Sequence, residues 1–227
     1  MAYYCTTEGD YSATIWRGVT YATPFFLQNR MIFTSYEDFK LACSDAGEHE
    51  KSYFCDKGAY GTANPMRRVE LAETYWKTLA DRKWTKFVRD RIVPFMECYD
   101  FFTAGNNPPD FPQLGPLASY LLTADFSYCC PKVVEGPTLS EMSSLTRSFN
   151  KGAIVGLENL GFITPRIRTG KKVGKADLKE TEMAIGKAYD LLKSIIPAEH
   201  HGTINLDLIM TEHILCKFSR AKNRKLI

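Results

Sequence analysis

TLSEMSSLTRSFNKGAIVGLENLG (residues 138–161) carries the strongest local folding signal in the chain. Thr138, followed three positions later by Glu141, is the pattern of a capping box, in which each side chain accepts a hydrogen bond from a backbone amide at the start of a helix. The apolar residues that follow recur every three, four or five positions, which is typical of the buried face of an amphipathic helix. The stretch therefore predicts a helix that begins after Thr138 and that Gly161 ends.

Capping residues and prolines predict further helices on both sides of this stretch. Ser, Asn and Asp side chains accept hydrogen bonds from the first free amides of a helix, whereas Pro lacks an amide and kinks or ends one. The predicted helices run from Ser35 to about Gly47, from Asn64 and Pro65 through a kink at Pro94, from Leu114 to Tyr128, from Asp177 to Ile196, and from about Asn205 into the C-terminal tail. The predicted fold class is therefore mainly α, with a helical domain of about six helices.

The N-terminal sequence differs from the rest because aromatic and β-branched residues are concentrated in it. ATIWRGVTY (13–21) and FFLQNRMIF (25–33) lie on either side of Pro24, and this arrangement predicts a small N-terminal β-hairpin. Residues 51–63 carry no periodic apolar pattern, so we expect them to form a loop.

The predicted domains are an N-terminal aromatic-rich segment at 1–63 and a helical domain at 64–227, with a sub-boundary in the Pro-rich stretch 104–112. A chain of 227 residues can bury roughly 70% of its unfolded surface, so it needs no disulfide or metal to hold it together. Hydrophobic residues at 44% and charged residues at 24% are typical of a packed globular protein.

Several classes of protein are disfavoured by the sequence. The N-terminus lacks the basic and apolar regions of a signal peptide, and no apolar stretch is long enough to cross a bilayer, so we expect no membrane association. The seven cysteines are odd in number and irregularly spaced, which argues against a disulfide framework. Together these features predict an intracellular protein in a reducing compartment, with the cytoplasm and the nucleus not distinguished.

Positive charge is concentrated near the C-terminus. Residues 164–227 contain 13 basic and 7 acidic side chains, whereas the whole chain has a net charge of +3. Clustered Lys and Arg side chains bind nucleic acid by displacing counterions from its phosphates. The predicted phosphate-binding residues lie in a Gly-containing connection between two helices and in the C-terminal tail: Arg166, Arg168, Lys171, Lys172, Lys175, Arg220, Lys222, Arg224 and Lys225.

A third basic cluster follows Asp81 and surrounds Trp84, an aromatic ring of the kind on which an unpaired base can stack. Its members are Arg82, Lys83, Lys86, Arg89 and Arg91. The alternative interpretation is that these cations are the solvated face of a helix and that Trp76 and Trp84 belong to the core. The sequence leaves both interpretations open.

Histidines and cysteines provide the remaining candidates for chemistry. His200, His201 and His213 occur near one another and near carboxylates, a combination that metal-dependent hydrolases use, but their spacing matches no established zinc signature. Cys43 and Cys55 flank His49 at equal distances without the tight pairs typical of structural zinc sites. We therefore predict no metal, no cofactor and no catalytic residue, and the sequence favours binding over catalysis.

The function predicted from the sequence is that of a non-catalytic nucleic-acid-binding or assembling helical protein, which contacts phosphates, including those of RNA, through the basic connection and the basic tail. Two alternatives remain. One is a module that binds a protein partner or a second copy of itself, because aromatic residues are favoured at interfaces and are dense in the N-terminal segment. The other is a metal-dependent hydrolase that uses the three C-terminal histidines.

Overall fold

The fold is described from a computed structural model that covers residues 7–21, 23–28, 32–55, 68–81, 83–88, 91–103, 110–129, 132–169 and 172–225. The chain forms two compact units, Met1–Glu135 and Gly136–Ile227. The predicted boundary at 63/64 and residues 104–109 of the predicted sub-boundary lie outside the described residues. The division between the units falls within the stretch CCPKVVEGP (129–137), whose Pro and Gly residues disfavour a helix.

The N-terminal unit is mainly helical in its described residues. Eight α-helices and one π-helical turn are assigned there: α1 (Thr7–Ile15), the π-turn (Trp16–Thr20), α2 (Pro24–Gln28), α3 (Tyr36–Asp45), α4 (Lys51–Phe54), α5 (Leu71–Ala80), α6 (Lys83–Val88), α7 (Phe95–Thr103) and α8 (Pro116–Ser127). Isolated strand-like pairing occurs between Val93 and Val134. The predicted fold class is confirmed, while the predicted number of helices was too low.

The prediction of an N-terminal β-hairpin was wrong. Every residue from Gly9 to Ile15 is buried, so α1 is enclosed on all sides, whereas a surface hairpin buries alternate residues. The Ser12 and Thr14 hydroxyls of α1 are buried at little cost because they donate to carbonyls one turn earlier, at 2.7 and 2.8 Å. The Phe33 amide, expected in the second strand, donates instead to Ser12 Oγ at 2.8 Å.

Two other predictions for this unit are decided by the structure. Ser35 begins α3 as predicted, since its side chain accepts a hydrogen bond from the Asp38 amide at 3.0 Å. The loop predicted at 51–63 was wrong at its start, where α4 packs beside α2 through contacts of Tyr53 and Phe54 with the Phe25 ring. Asn64 and Pro65, the predicted start of the long helical region, lie outside the described residues.

The C-terminal unit contains five α-helices and a two-residue β-ladder within its described residues. They are α9 (Leu139–Phe149), α10 (Gly152–Asn159), β1 (Arg168–Thr169), β2 (Lys172–Val173), α11 (Leu178–Ile195), α12 (Ala198–His201) and α13 (Leu208–Asn223). The predicted capping box is present, because the Thr138 amide donates to Glu141 Oε2 at 2.7 Å and the Glu141 amide donates to Thr138 Oγ1 at 3.3 Å. Asp177 begins α11 by the predicted side-chain contact with the Glu180 amide.

The long helix predicted after Thr138 is divided into α9 and α10. Asn150 ends α9 in the left-handed conformation, with φ of 53°. Asn tolerates this conformation better than most residues, so it can turn the chain where glycine is absent. Gly161 also adopts positive φ, at 68°, and follows α10 as the sequence predicts.

Two glycines let α10 lie directly against the backbone of α13. A Cβ atom at Gly156 would collide with the carbonyl oxygen of Leu215 and lie 3.0 Å from its carbonyl carbon. A Cβ at Gly152 would lie 3.3 Å from Cys216 Cβ and collide with its sulfur. Because the neighbour at Gly156 is backbone, a side chain there can be accommodated only by separating the two helices.

Within the described ranges, no helix combines the length and the apolar content that crossing a bilayer requires.

Gly156→Ala should destabilise the C-terminal unit by about 2 kcal/mol, because overpacking outweighs the usual gain in helix propensity. Gly186→Ala is the matched control, since a Cβ there meets only Leu139 Cδ2, at 3.5 Å. Unfolding followed by circular dichroism measures the change. Tryptophan fluorescence recorded in parallel reports the N-terminal unit alone, because Trp16, Trp76 and Trp84 are the only tryptophans. Equal stability of the two alanine variants would contradict the close approach.

The N-terminal unit encloses a carboxyl group. Trp84 is 2% exposed, and its indole Nε1 donates to Asp10 Oδ2 at 2.6 Å. Asp10 Oδ1 has no hydrogen-bond partner among the described residues. Burial raises the pKa of Asp10 to about 7, helped by the nearby Glu8 and opposed by the Trp84 hydrogen bond. A proton on Asp10 therefore lowers the free energy of the folded state.

The stability of the N-terminal unit should fall as the pH rises from about 4 to about 7. An Asp in the unfolded state has a pKa of about 3.9, so across this window the folded state binds more protons than the unfolded state. The free energy of unfolding should therefore fall by about 2–4 kcal/mol as Asp10 ionises. Asp10→Asn should reduce this pH dependence and stabilise the unit at pH 8, while part of the slope remains because burial also raises the pKa of Asp125, against the opposing effect of Arg17. Urea unfolding followed by tryptophan fluorescence measures the slope, with the exposed Asp100→Asn as the control. A slope that is unchanged in Asp10→Asn would refute the assignment.

Candidate nucleic-acid interface

The predicted phosphate-binding connection lies between α10 and α11, and we call residues 164–177 the basic loop. Its centre is an antiparallel ladder in which Arg168 pairs with Val173 and Thr169 pairs with Lys172. The Gly174 amide closes the ladder by donating to the Ile167 carbonyl at 2.9 Å. Residues 170–171, including the predicted Lys171, lie outside the described residues.

Arg166 holds the basic loop in place through hydrogen bonds to residues of the neighbouring α9–α10 region. Its Nε and Nη2 donate to the two carboxylate oxygens of Glu158 at 2.8 and 2.9 Å, and its Nη1 donates to Asn150 O and Oδ1 at 2.9 and 2.6 Å. Its backbone amide also donates to Glu158 Oε1, at 2.8 Å. Both side chains of the ion pair are nearly inaccessible, at 3% and 8% exposure. The Arg166 guanidinium is therefore occupied within the fold and is not presented to a phosphate.

The two ends of the basic loop are also hydrogen-bonded to neighbouring helices. At its start, Thr164 donates through its amide and hydroxyl to Glu180 Oε1, at 2.7 Å each. At its end, Asn150 Nδ2 donates to the Gly174 carbonyl at 3.2 Å and Arg147 Nε donates to the Ala176 carbonyl at 2.7 Å. The ladder thus projects from a base held by the α9–α10 junction and by the first turn of α11.

The basic tail, which we define as residues 217–225, occupies the end of α13. Its cations Lys217, Arg220, Lys222, Arg224 and Lys225 are all exposed. The Gly152–Cys216 contact holds this part of α13 against the α9–α10 junction, where Asn150 also holds the basic loop. Lys222 Nζ donates to the Asn159 carbonyl at 3.4 Å, at the other end of α10. Loop and tail are therefore supported by the same short helix.

Exposure separates the predicted cations into two groups. Lys175 and the cations of the basic tail form no ion pair with any carboxylate of the described residues, whereas Arg166 is buried in one. The Gly136–Ile227 unit as a whole has 15 basic and 9 acidic residues, and Met1–Glu135 has 14 and 17. Lys175 and the exposed cations of the basic tail thus belong to the unit that carries a net positive charge.

In the third basic cluster, the Trp84 ring is not exposed for stacking on a base. Trp84 is buried among Phe87, Phe101, Phe102 and Phe126, with ring centroids 4.9–5.8 Å away, so it cannot stack on a base. Among the cluster's other members, Arg91 pairs with Glu97 at 2.6 Å and Lys86 is exposed. Arg82 and Arg89 lie outside the described residues. The core interpretation therefore holds for Trp84.

The histidines do not assemble into a metal site in the part of the chain that the structure describes. No three His, Cys, Asp or Glu side chains are grouped there so as to hold an ion. His201 Nε2 lies 2.8 Å from the Ile196 carbonyl, His213 Nε2 lies 3.9 Å from Glu212, and His49 stacks on the Tyr53 ring. Burial raises the pKa of the Cys216 thiol, and so does Glu212, against the opposing effects of Arg220 and Lys217.

Sequence reasoning missed Asn150 and Glu158, the residues that position the basic loop. Glu158 occupies a helix position in an apolar stretch, where a carboxylate usually needs a cationic partner. That signal was available, but only the fold identifies Arg166 as the partner. Comparisons with protein-family models, with curated protein sequences and with solved structures found no match to this chain.

Arg166→Met should destabilise the C-terminal unit by about 3–5 kcal/mol, because it leaves the Glu158 carboxylate buried without its cation. Adding Glu158→Gln should recover part of that loss, since the amide carries no charge. Arg224→Met, which removes an exposed cation of the same type, is the control and should change stability by less than about 0.5 kcal/mol. Urea unfolding followed by circular dichroism measures all three variants. A small effect of Arg166→Met would exclude the anchoring role.

Proposed function

We propose that this protein binds nucleic acid without catalysis and that its C-terminal unit contacts the phosphates through the basic loop and the basic tail. The observation that carries the proposal is the set of exposed cations with no carboxylate partner among the described residues. They are Lys175, Arg220, Lys222, Arg224 and Lys225. A carboxylate would already neutralise such a cation, whereas one without a partner is free to displace counterions from a phosphate backbone.

The rigid base of the basic loop supports the same function. A cationic loop that must be ordered on binding loses conformational entropy, which weakens the complex. Here the Arg166–Glu158 ion pair and the Asn150 hydrogen bonds hold the base of the loop before any ligand arrives. Arg166 therefore acts as a positioning residue, while Arg168, Lys171 and Lys172 join the proposed contact set by their position in the loop.

The chemistry of these contacts determines what they recognise. Lys and Arg directed at phosphates fix the position of a strand but read little sequence, and the buried Trp84 is not available to stack on bases. We therefore propose that the protein recognises the charge of the phosphate backbone with little dependence on base sequence, in both DNA and RNA. With Arg166 excluded, eight of the predicted cations remain, which sets an upper limit of about −7 for the slope of log affinity against log salt on duplex DNA.

Charge reversal in the basic loop tests the proposal. Lys171→Glu combined with Lys172→Glu should weaken binding to a labelled oligonucleotide and reduce the salt slope by about 2, because each lysine that no longer faces a phosphate lowers the slope by roughly one. Fluorescence anisotropy on protein freed of host nucleic acid, at low and near-physiological salt, measures both quantities.

Lys40→Glu combined with Lys51→Glu is the matched control, because it changes the net charge equally at exposed positions on α3 and α4. Equal weakening by both pairs would mean that net charge alone attracts the ligand and would remove the basic loop from the interface. Absence of binding by the unaltered protein at low salt would refute the function itself.

A further inference from the structure

One face of α11 is exposed although it carries apolar residues. The buried face, formed by Thr181, Ala184, Ile185 and Ala188, packs within the C-terminal unit. On the opposite side Met183, in the second turn of the 18-residue helix, is 70% exposed, which is unusual for a large apolar side chain. An apolar residue that the fold leaves accessible on a regular helix is a candidate contact for another chain.

Met183 belongs to a line of four residues that we call the α11 seam: Lys179, Met183, Gly186 and Asp190. Their spacings of four, three and four residues keep them on one face of the helix, as in the seam of a coiled coil. Gly186 forms a shallow notch in the seam because it lacks a side chain, and Leu139 of α9 borders this notch, with its Cδ2 3.5 Å from the place that a Cβ atom would take. All four residues line the same surface groove, of about 750 Å³.

The residue spacing of the α11 seam is the same from either end of the helix. The side chains are not, because one end carries a lysine and the other an aspartate, and the two inner positions are a methionine and a glycine. If a second α11 is laid antiparallel across the first, each Lys179 faces an Asp190 and each Met183 faces a Gly186. Opposite charges then meet at the two ends, and a side chain enters a notch at two positions near the centre. A two-fold axis perpendicular to the two helices, at the level between positions 184 and 185, relates the two copies and produces all four contacts at once. Such symmetry is what an isologous interface requires.

We propose that the occupant of this groove is a second copy of the same chain, bound antiparallel along the α11 seam. The charge complementarity is intermolecular by necessity, because Lys179 and Asp190 are eleven residues apart, about 16 Å along one helix. Neither forms an ion pair with a described residue of its own chain. The two lysines three residues from Asp190 are held in cation–π contacts, with Lys187 4.4 Å from the Phe162 ring centroid and Lys193 5.2 Å from the Tyr189 ring centroid.

The expected dimer is weak. A single pair of helices in contact over about three turns buries less than the roughly 800 Å² per partner of a standard stable interface. We therefore expect reversible dimerisation with a dissociation constant in the micromolar range or above, roughly 10⁻⁶–10⁻⁴ M. This self-association does not depend on the proposed nucleic-acid contacts, because the α11 seam shares no residue with them.

Sedimentation equilibrium of the full chain, freed of nucleic acid and measured at low salt over the micromolar concentration range, tests the proposal by a charge swap. Lys179→Asp should weaken the dimer at least about tenfold, because two attractions per dimer become two repulsions, and Asp190→Lys should do the same. The double variant Lys179→Asp with Asp190→Lys should restore the wild-type dissociation constant to within about threefold.

Two further variants test whether the dimer depends on the α11 seam itself and not only on the net charge of the protein. Lys217→Asp changes the charge equally on α13 and should leave dimerisation unchanged within about threefold. Gly186→Ala should keep the fold, since its Cβ meets Leu139 at an ordinary contact distance, yet weaken the dimer by partly filling the notch. A monomeric wild-type protein at the highest concentration, single variants without effect, or a double variant that fails to recover would each overturn the proposal.

Discussion

The approach of α10 to α13 is the constraint on which the C-terminal unit depends. Gly152 and Gly156 let one helix rest on the backbone of the other, because any side chain at Gly156 would meet the carbonyl group of Leu215. This contact fixes α13 beside the α9–α10 junction. The basic tail and the basic loop, which are distant in sequence, are consequently supported by one eight-residue helix. A change in the separation of the two helices would displace both sets of cations.

Burial decides what each cation near that junction does. Arg166 and Lys175 belong to the same loop, yet one is enclosed by Glu158 and Asn150 and the other is exposed. A buried guanidinium needs a carboxylate and further acceptors to offset its desolvation, and Arg166 has both. The planar fork of Arg suits this role better than the single ammonium of Lys. The proposed binding surface is thus built from exposed cations that no carboxylate of the described residues neutralises.

The N-terminal unit shows a different limit of sequence reasoning. The residues predicted to form strands have the aromatic and β-branched composition of strands, but composition is a weak guide when the surroundings enclose a segment on every side. Tyr11 and Phe25, two aromatic residues of the segment that the sequence offered for a protein interface, are buried within their own unit. Among the described residues, internal packing accounts for rings such as Phe25, Phe33 and Phe39, which contact one another.

Local sequence patterns were sufficient to predict the features that depend on a few neighbouring residues. These are the helix starts at Ser35, Thr138 and Asp177, the turn at Gly161 and the mainly α class, because a capping side chain reaches only the next turn. The tertiary structure alone decided which cations are exposed, why α9 and α10 separate at Asn150, and that Trp84 is buried against Asp10. Those outcomes depend on contacts between residues that are distant in sequence, and no local pattern records such contacts.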